Sequence, residues 1–476
     1  MNQCNGATED QSITDRSSDK TSYGSVSTLS NLMHHTKSAI SHDYSSVLDE
    51  KIQIPESEDY KFSFRKLWAF SGPGFLMSIA YLDPGNIEAD LKAGTEAKYA
   101  LLWILLWATV LGLFIQRLAA RIGAVTGEDM GETCRRRFTP IPRYTLWIML
   151  EITIIAADMQ EVIGTAIALY LLSSKRIPLW GGVLLTIFDT FTFLFLDKYG
   201  LRKLEAFFAF LIAVMAFTFG YEYIMVQPDQ TEVVKSLFVP GCASCSSRVL
   251  LQAVGIVGAL ITPHNLYLHS SLVKSREINR KNKAEVSDAN RYYFIESAIA
   301  LFVSLIINIF VVGVFAAGMN NKTNSHVMAL CNERGINASD VLVDDDSIIE
   351  GDIYRGGIFL GCEFGELYLY IWAVGLLAAG QSSTMTGTYT GQFVMEGFLH
   401  MKWKRWKRVL LTRTIAICPT ILVAIMQDVN HTLCLLVVLG CERLTRLPVI
   451  GIYLEERYEF KEFDKLICES VESVIK

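Results

Sequence analysis

Two four-residue runs carry the chemistry of this sequence: "DPGN" at 83–86 and "TPHN" at 262–265. Both read x-P-x-N, and both interrupt apolar stretches. Proline has no N–H, and its ring clashes with the carbonyl four residues earlier. Each run therefore breaks a helix and frees a carbonyl oxygen, that of Ala80 in the first and Ala259 in the second. Asp83 adds a carboxylate, Asn86 an amide oxygen and Thr262 a hydroxyl. One formal charge among neutral oxygens suits a divalent cation that keeps part of its water. An anionic substrate would call for basic residues and helix N-termini instead. The plainer readings are a proline kink that sets only shape and an aspartate that only caps a helix. Against them stands the matching of the two runs, and the expense of a carboxylate in lipid.

The elements that hold these runs must be membrane helices. Of the 476 residues, 51% are hydrophobic and 19% charged, and the mean hydropathy is +0.31. Water-soluble chains carry about 25% charge. Apolar stretches at 99–125, 144–172, 178–196, 204–226, 249–273, 292–318, 367–395 and 409–427 approach or exceed the ~20 residues of a spanning helix. A shorter one, interrupted by Gly72, Pro73, Gly74 and the first run, begins near Leu67. Neither an open sheet nor a barrel accounts for this pattern, so the chain reads as an all-α polytopic membrane protein. The runs fall in the first and sixth spans, which correspond if the core is two five-helix repeats. A matched pair of interrupted helices marks a transporter's midplane substrate site. H-E-x-x-H, G-x-S-x-G and nucleotide-binding loops are absent, so an enzyme is not indicated.

Residues 1–60 hold ten acidic and four basic side chains and few apolar ones. They read as a disordered cytosolic tail. Its "YGSV" (23–26) and "YSSV" (44–47) resemble tyrosine-based endocytic sorting signals, or are plain linker. Arg117, Arg121, Arg135, Arg136, Arg137 and Arg143 fall between the second and third spans, and later basic groups recur in alternate loops, placing those loops in the cytosol. The sequons at Asn321, Asn337 and Asn430 all fall in loops this rule puts outside. In the large outer loop 320–356, Cys331 is a candidate partner for Cys362. Cys242 and Cys245 fit a small loop disulfide better than a metal site.

The stretches "DPGNIEADLKAG", "ADMQEVIGTAIAL", "FLDKYGLRKLEAFF", "VGIVGALITPHNLYLHSSLVKSR" and "WAVGLLAAGQSSTMTGTYTGQFVMEGF" closely resemble the natural resistance-associated macrophage protein family, nearest its animal divalent metal transporters. The resemblance runs from about residue 55 to 430. It implies a LeuT-like inverted repeat with broken first and sixth helices, and proton-coupled import of Fe²⁺, Mn²⁺ and related cations. It places the metal ligands on Asp83, Asn86 and the carbonyls of Ala80 and Ala259. The partners expected are metal ions, protons, the bilayer of a plasma or endosomal membrane and, through the tail, sorting machinery. No cofactor and no nucleic acid are expected.

Proton coupling needs titratable groups near the breaks. His264 and His269 qualify because imidazole titrates near physiological pH. Five residues apart, they point about 140° apart on an ideal helix, so only one faces a given point. His264, beside the break, is assigned to the proton path; His269 joins it or serves packing. The third span adds Glu151, Asp158 and Glu161 near one face, with Arg413 of the ninth span as their partner. The resemblance puts a polar proton route on the same two helices. The other reading is a static ion-pair network. Two departures stand out. The family usually has Met where this chain has Thr262. After Asn430 only "LCLLVVLG" (433–440) remains of a tenth span, so C-terminal helices look missing or altered. The chain thus reads as a tail (1–60), a transporter core (61–430) and a divergent C-terminus (431–476). The functional alternatives are a non-transporting or regulatory isoform, and a transporter with relaxed selectivity toward harder cations.

Overall fold

Proline and glycine punctuate the helices. Pro73, Pro84, Pro140 and Pro263 each stand in the first turn of a helix, where a missing N–H costs nothing. The computed structural model describes residues 51–55, 62–196, 201–241, 246–338, 341–342, 345–400 and 405–426. Short α1 (Phe64–Phe70) leads into the first broken span, α2 (Pro73–Ile79) and α3 (Pro84–Ala97). Then come α4 (Leu102–Thr126), α5 (Met130–Arg137), α6 (Pro140–Leu172), α7 (Leu179–Leu196), α8 (Leu201–Val226) and α9 (Gln230–Phe238). The second broken span is α10 (Ser247–Leu260) and α11 (Pro263–Leu272). The order closes with α12 (Lys283–Gly318), α13 (Asn324–Arg334), α14 (Ile353–Phe364), α15 (Glu366–Leu399) and α16 (Arg405–Met426). Among the described residues, five stretches are long and apolar enough to cross a membrane by composition alone, one of them the α10–α11 pair taken together. Helix α15 falls short of that measure because it is buried nearly all round and packs through Gly, Ser and Thr.

Small residues let the helices approach closely, as lipid-embedded packing requires. A Cβ on Gly380 of α15 would lie 2.2 Å from Thr165 Oγ1 of α6. One on Gly94 of α3 would lie 2.6 Å from the Val312 carbonyl of α12. The two broken spans lie side by side, α2 against α11 and α3 against α10. Helix α14 packs against α3. The carboxylate of Glu88, itself buried, accepts the Ile353 N–H at 2.7 Å. A disulfide joins Cys331 to Cys362 and so ties α13 to α14.

The start of α2 is held by a buried ionic cluster that the sequence did not announce. Arg276 is 1% exposed. It donates to the carbonyls of Ser71 and Ala69 and pairs with Glu205 at 2.9 Å. Arg202 donates to the same two carbonyls at 2.8 and 2.6 Å. From α12, Glu296 Oε1 accepts the N–H groups of Gly72 and Gly74 at 2.5 and 3.0 Å. These bonds satisfy polar backbone that the Gly-Pro-Gly entrance cannot satisfy within a helix.

Three expectations change. Arg117 and Arg121 lie on α4, not in a loop, because that helix continues to Thr126; Arg117 stacks over the Phe294 ring at 4.9 Å. The loop 320–356 contains α13 and the start of α14. Glu151 bonds Trp147 Nε1 at 2.9 Å, whereas Arg413 pairs with Asp158. The tail to residue 50, its two tyrosine runs, Cys242, Cys245, Asn430 and the 433–440 stretch lie outside the described residues.

Gly72 has φ +141°, and a Cβ there would lie 2.1 Å from Glu205 Oε1 and 2.4 Å from Arg276 Nη2. Left-handed strain alone costs about 1–3 kcal/mol, and the clash adds to it by displacing the ion pair. Gly72→Ala is expected to lower the thermal midpoint in detergent and the monodisperse yield. Gly241→Ala, with open space around it, is the control. Equal melting of the two variants would show that the cluster does not hold α2.

Candidate metal and proton site

The first break opens where the sequence puts it. After Ile79 the chain makes three tight turns, with Ala80, Tyr81 and Leu82 N–H groups bonding three residues back. It restarts as a helix at Pro84. Asp83 is the N-cap, and its Oδ1 accepts the Asn86 N–H at 2.7 Å. So the capping reading of Asp83 holds, but it leaves more to explain. The Asn86 side-chain Nδ2 lies 3.1 Å from the Ala80 carbonyl and 3.1 Å from Asp83 Oδ1. Two acceptor oxygens from opposite sides of the break thus converge on one donor. Asn86 is expected as an oxygen ligand; here its nitrogen faces the two oxygens. The reason is electrostatic: two oxygens this close need a positive group between them, and the amide N–H₂ supplies it. Turning the amide over would present three oxygens to a cation at the same place.

Further hydrogen bonds pin the unwound segment without closing it. Ser304 donates to the Ser78 carbonyl at 3.1 Å and Asn308 to the Tyr81 carbonyl at 3.0 Å. Both come from α12, so they bond the backbone from one side. Pro84 packs against Gly164 of α6, and Gln160 Oε1 would lie 2.8 Å from a Cβ on Gly85. Gln160 was not singled out in the sequence. The signal was present, as a third polar residue between Asp158 and Glu161 in an apolar helix.

The second break is built the same way. Helix α10 ends at Leu260 and α11 restarts at Pro263, with Thr262 as extended N-cap. The Ala259 carbonyl would bond the N–H of residue 263, which is proline and has none. Thr262 Oγ1 accepts from Asn265 Nδ2 at 2.7 Å. Its hydroxyl thus accepts from a side chain and makes no capping bond to the helix backbone. His264 and His269 are both buried, 4% and 0% exposed. His264 Nδ1 has no hydrogen-bond partner. The His269 ring lies beside the Pro73 carbonyl of α2 without a bond of normal geometry.

Across from the first break, α6 and α15 enclose the acidic pair. Asp158 and Glu161 are buried, 2% and 5% exposed, and both flank Gly387. A Cβ there would lie 3.1 Å from Asp158 Oδ1 and 3.5 Å from either Glu161 oxygen. Arg413 Nη1 stands 3.5 Å from Asp158, while its Nη2 donates to the Thr384 carbonyl at 2.6 Å. Two carboxyl groups thus share one guanidinium, which leaves one negative charge to be neutralised by a proton or another cation. Glu161 is within electrostatic reach of Asp83. Glu151 lies outside this group, half-buried against Trp147. Asn321 and Asn337 are exposed, as carbohydrate acceptors must be.

Comparison with other proteins identifies the family. The family profile described as "Natural resistance-associated macrophage protein-like" matches residues 74–454. It runs past Asn430, farther than the quoted motifs reach, because the broader residue pattern continues after they stop. Natural resistance-associated macrophage protein 2 of Mus musculus is 64% identical over 388 residues, 82% of this chain and 68% of that protein. Protein Malvolio of Drosophila melanogaster is 60% identical over 411 residues, 85% and 69% of the two chains. A crystal structure of the Eremococcus coleocola manganese transporter superposes with a TM-score of 0.66 at 33% identity, covering 78% and 73%. MHP1, a nucleobase-cation-symport-1 family transporter, shares the fold alone, with a TM-score of 0.51 at 14% identity over 77% and 75%. The LeuT-like fold, the profile match and the identities lead to one conclusion: this chain is an integral membrane protein of the natural resistance-associated macrophage protein family of metal transporters, and not an enzyme.

Proposed function

We propose that the chain imports divalent transition metals, Fe²⁺ and Mn²⁺ foremost, into the cytosol by proton-coupled alternating access. The observation that carries this reading is the convergence of the Ala80 carbonyl and Asp83 Oδ1 on a single N–H₂ group. A divalent cation supplies there, with more charge, what the amide supplies in its absence. Binding then turns the Asn86 amide, so that its oxygen joins the set with the Ala259 carbonyl and retained water. The Asp158–Glu161 pair with Arg413 is the proton-accepting group, in a helix that packs directly on the restart of the broken one. His264 connects the break to that route and His269 lines it toward α2. Because the proton group is separate from the metal group, one charge can enter without displacing the other. The protein acts in the plasma or endosomal membrane with its N-terminus in the cytosol and Asn321 and Asn337 outside. The tyrosine runs of the tail serve sorting between those membranes.

Thr262 favours relaxed selectivity as part of this reading. Its hydroxyl is a hard ligand, already engaged by Asn265. It offers none of the soft, polarisable sulfur that methionine, usual at this position, gives to Mn²⁺, Fe²⁺ and Cd²⁺.

Two variants test the site. Asp83→Asn keeps the size and the helix cap but removes the charge. Proteoliposome Mn²⁺ uptake should fall at least tenfold, about 1.4 kcal/mol in binding terms, while the protein still reaches the membrane. Retained uptake would sink the assignment. Thr262→Met should raise the Cd²⁺ to Ca²⁺ affinity ratio roughly tenfold, the effect of about 1.4 kcal/mol from the sulfur. Calorimetric titration of both ions reads this directly, and an unchanged ratio would mean that residue 262 does not face the cation.

A further inference from the structure

The connection from α4 to α6 carries more positive charge than its ion pairs use. Between residues 128 and 143 the carboxylates are Glu128, Asp129 and Glu132, and the cations are Arg135, Arg136, Arg137 and Arg143. Glu128 is taken by Arg136 at 2.8 Å. Asp129 and Glu132 are both taken by Lys274, from beyond α11, at 2.9 and 2.6 Å. Every carboxylate of the segment is thus engaged. Arg135, Arg137 and Arg143 are left without one among the described residues. Two of the three hold N–H groups that want an acceptor: Arg135 Nη1 and Arg143 Nε are shielded from water and have no hydrogen-bond partner. A shielded guanidinium N–H without an acceptor is costly, and the fault is corrected by an anion.

The apolar side chains beside them say where that anion lies. Along one face of α6, Ile141, Tyr144, Ile148 and Ile152 are exposed by 82%, 44%, 50% and 61%. Their spacing of three, four and four residues is one helical stripe, and an apolar stripe exposed on a membrane helix faces lipid. The stripe begins at the turn that joins the arginines to α6, next to exposed Phe138. The helix has 33 residues, about 50 Å at 1.5 Å per residue, whereas the hydrocarbon layer is about 30 Å thick. The helix therefore extends beyond that layer, and the arginines stand at one of its two ends. Arg143 stacks over the Tyr144 ring at 4.6 Å, an aromatic–cation pair of the kind found at that interface.

We propose that Arg135, Arg137 and Arg143 bind an anionic phospholipid with a multiply phosphorylated headgroup in the cytosolic leaflet. The leaflet rests on the cytosolic placement of this connection. Guanidinium forks match phosphate oxygens in pairs, and three uncompensated cations exceed what a singly charged headgroup neutralises. Basic clusters at the cytosolic end of a spanning helix recognise such lipids through charge and proximity together. The short helix that carries two of the arginines also holds the end of the second broken span. Lys274 bonds its carboxylates, and the Met130 N–H donates to Ser270 Oγ at 3.0 Å. A lipid bound here therefore grips the element next to that span.

The test uses the full chain in nanodiscs, with bound lipid read by native mass spectrometry. Phosphatidylinositol bisphosphate competes against phosphatidylserine at equal total headgroup charge. The wild type is expected to retain the bisphosphate at least tenfold over the serine lipid. The Arg135→Gln, Arg137→Gln, Arg143→Gln triple variant should show no preference, with Mn²⁺ binding unchanged. The corresponding triple lysine variant keeps the charge and loses the fork, so its preference should fall severalfold; it decides the matter if the glutamine variant does not fold. Wild-type preference in either triple variant, or none in the wild type, overturns the proposal. Equal displacement by water-soluble inositol trisphosphate would show a free-phosphate site and overturn the lipid assignment. Glycosidase access to Asn321 and Asn337 from outside checks the orientation independently: if it fails, the placement is wrong rather than the guanidinium site.

Discussion

Backbone polar groups have no water to turn to inside a bilayer, so a helix broken at that depth must find other partners for what it releases. Prolines 84 and 263 remove the N–H groups that the Ala80 and Ala259 carbonyls would have used, and neighbouring elements then meet the need. Ser304 and Asn308 reach from α12 to the Ser78 and Tyr81 carbonyls. Asn86 folds back to the Ala80 carbonyl. Glu296 and Arg276 satisfy the entrance at Ser71–Gly74. What these bonds leave is a small region where oxygens converge with no permanent cation. Its polarity is a consequence of helix breaking in lipid.

That region sits between two charged assemblies of different kind. On α6, α15 and α16, two carboxyl groups share one arginine, an arrangement with a net negative charge that suits a group meant to gain and lose a proton. Around Arg276, by contrast, two arginines and two glutamates balance, and each cation also bonds backbone carbonyls. A charge-balanced cluster that also bonds the backbone fixes an element, whereas an unbalanced one responds to its surroundings. The first assembly is the one to which the proposed function gives the proton. The second belongs to the placement of α2, whose entrance it bonds.

Much of this was legible in the residues, and for local reasons. A proline acts on the carbonyl four residues away, so both breaks and both freed oxygens could be located by counting. A buried charge requires a partner, so Arg413 could be matched to the third span, and the structure narrows the match to Asp158. Other features depend on distant or conditional contacts. Arg276 bonds the backbone of Ser71, 205 residues earlier in the chain, and no spacing rule reaches that far. The Asn86 amide presents its nitrogen or its oxygen according to what stands beside it, which residue type does not fix. Helix α15 reads as a weak span by hydropathy because, buried on all sides, it trades apolar surface for the small residues that close packing requires. The loop 320–356 hid α13 and the start of α14, whose helical pattern is short and whose docking on α3 uses distant partners, the Glu88 carboxylate and the Leu91 side chain.

The central claim is that the two breaks form a metal site whose occupancy is coupled to a separate proton-accepting group. The most direct measurement is Mn²⁺ uptake into proteoliposomes at an external pH of about 5.5 and about 7.4, values that straddle ordinary histidine titration, with the interior held at the higher value. Intravesicular pH is followed at the same time. The account predicts faster Mn²⁺ uptake under the inward proton gradient and an acidification that requires the metal. Uptake indifferent to the gradient, with no metal-dependent proton movement, would contradict it.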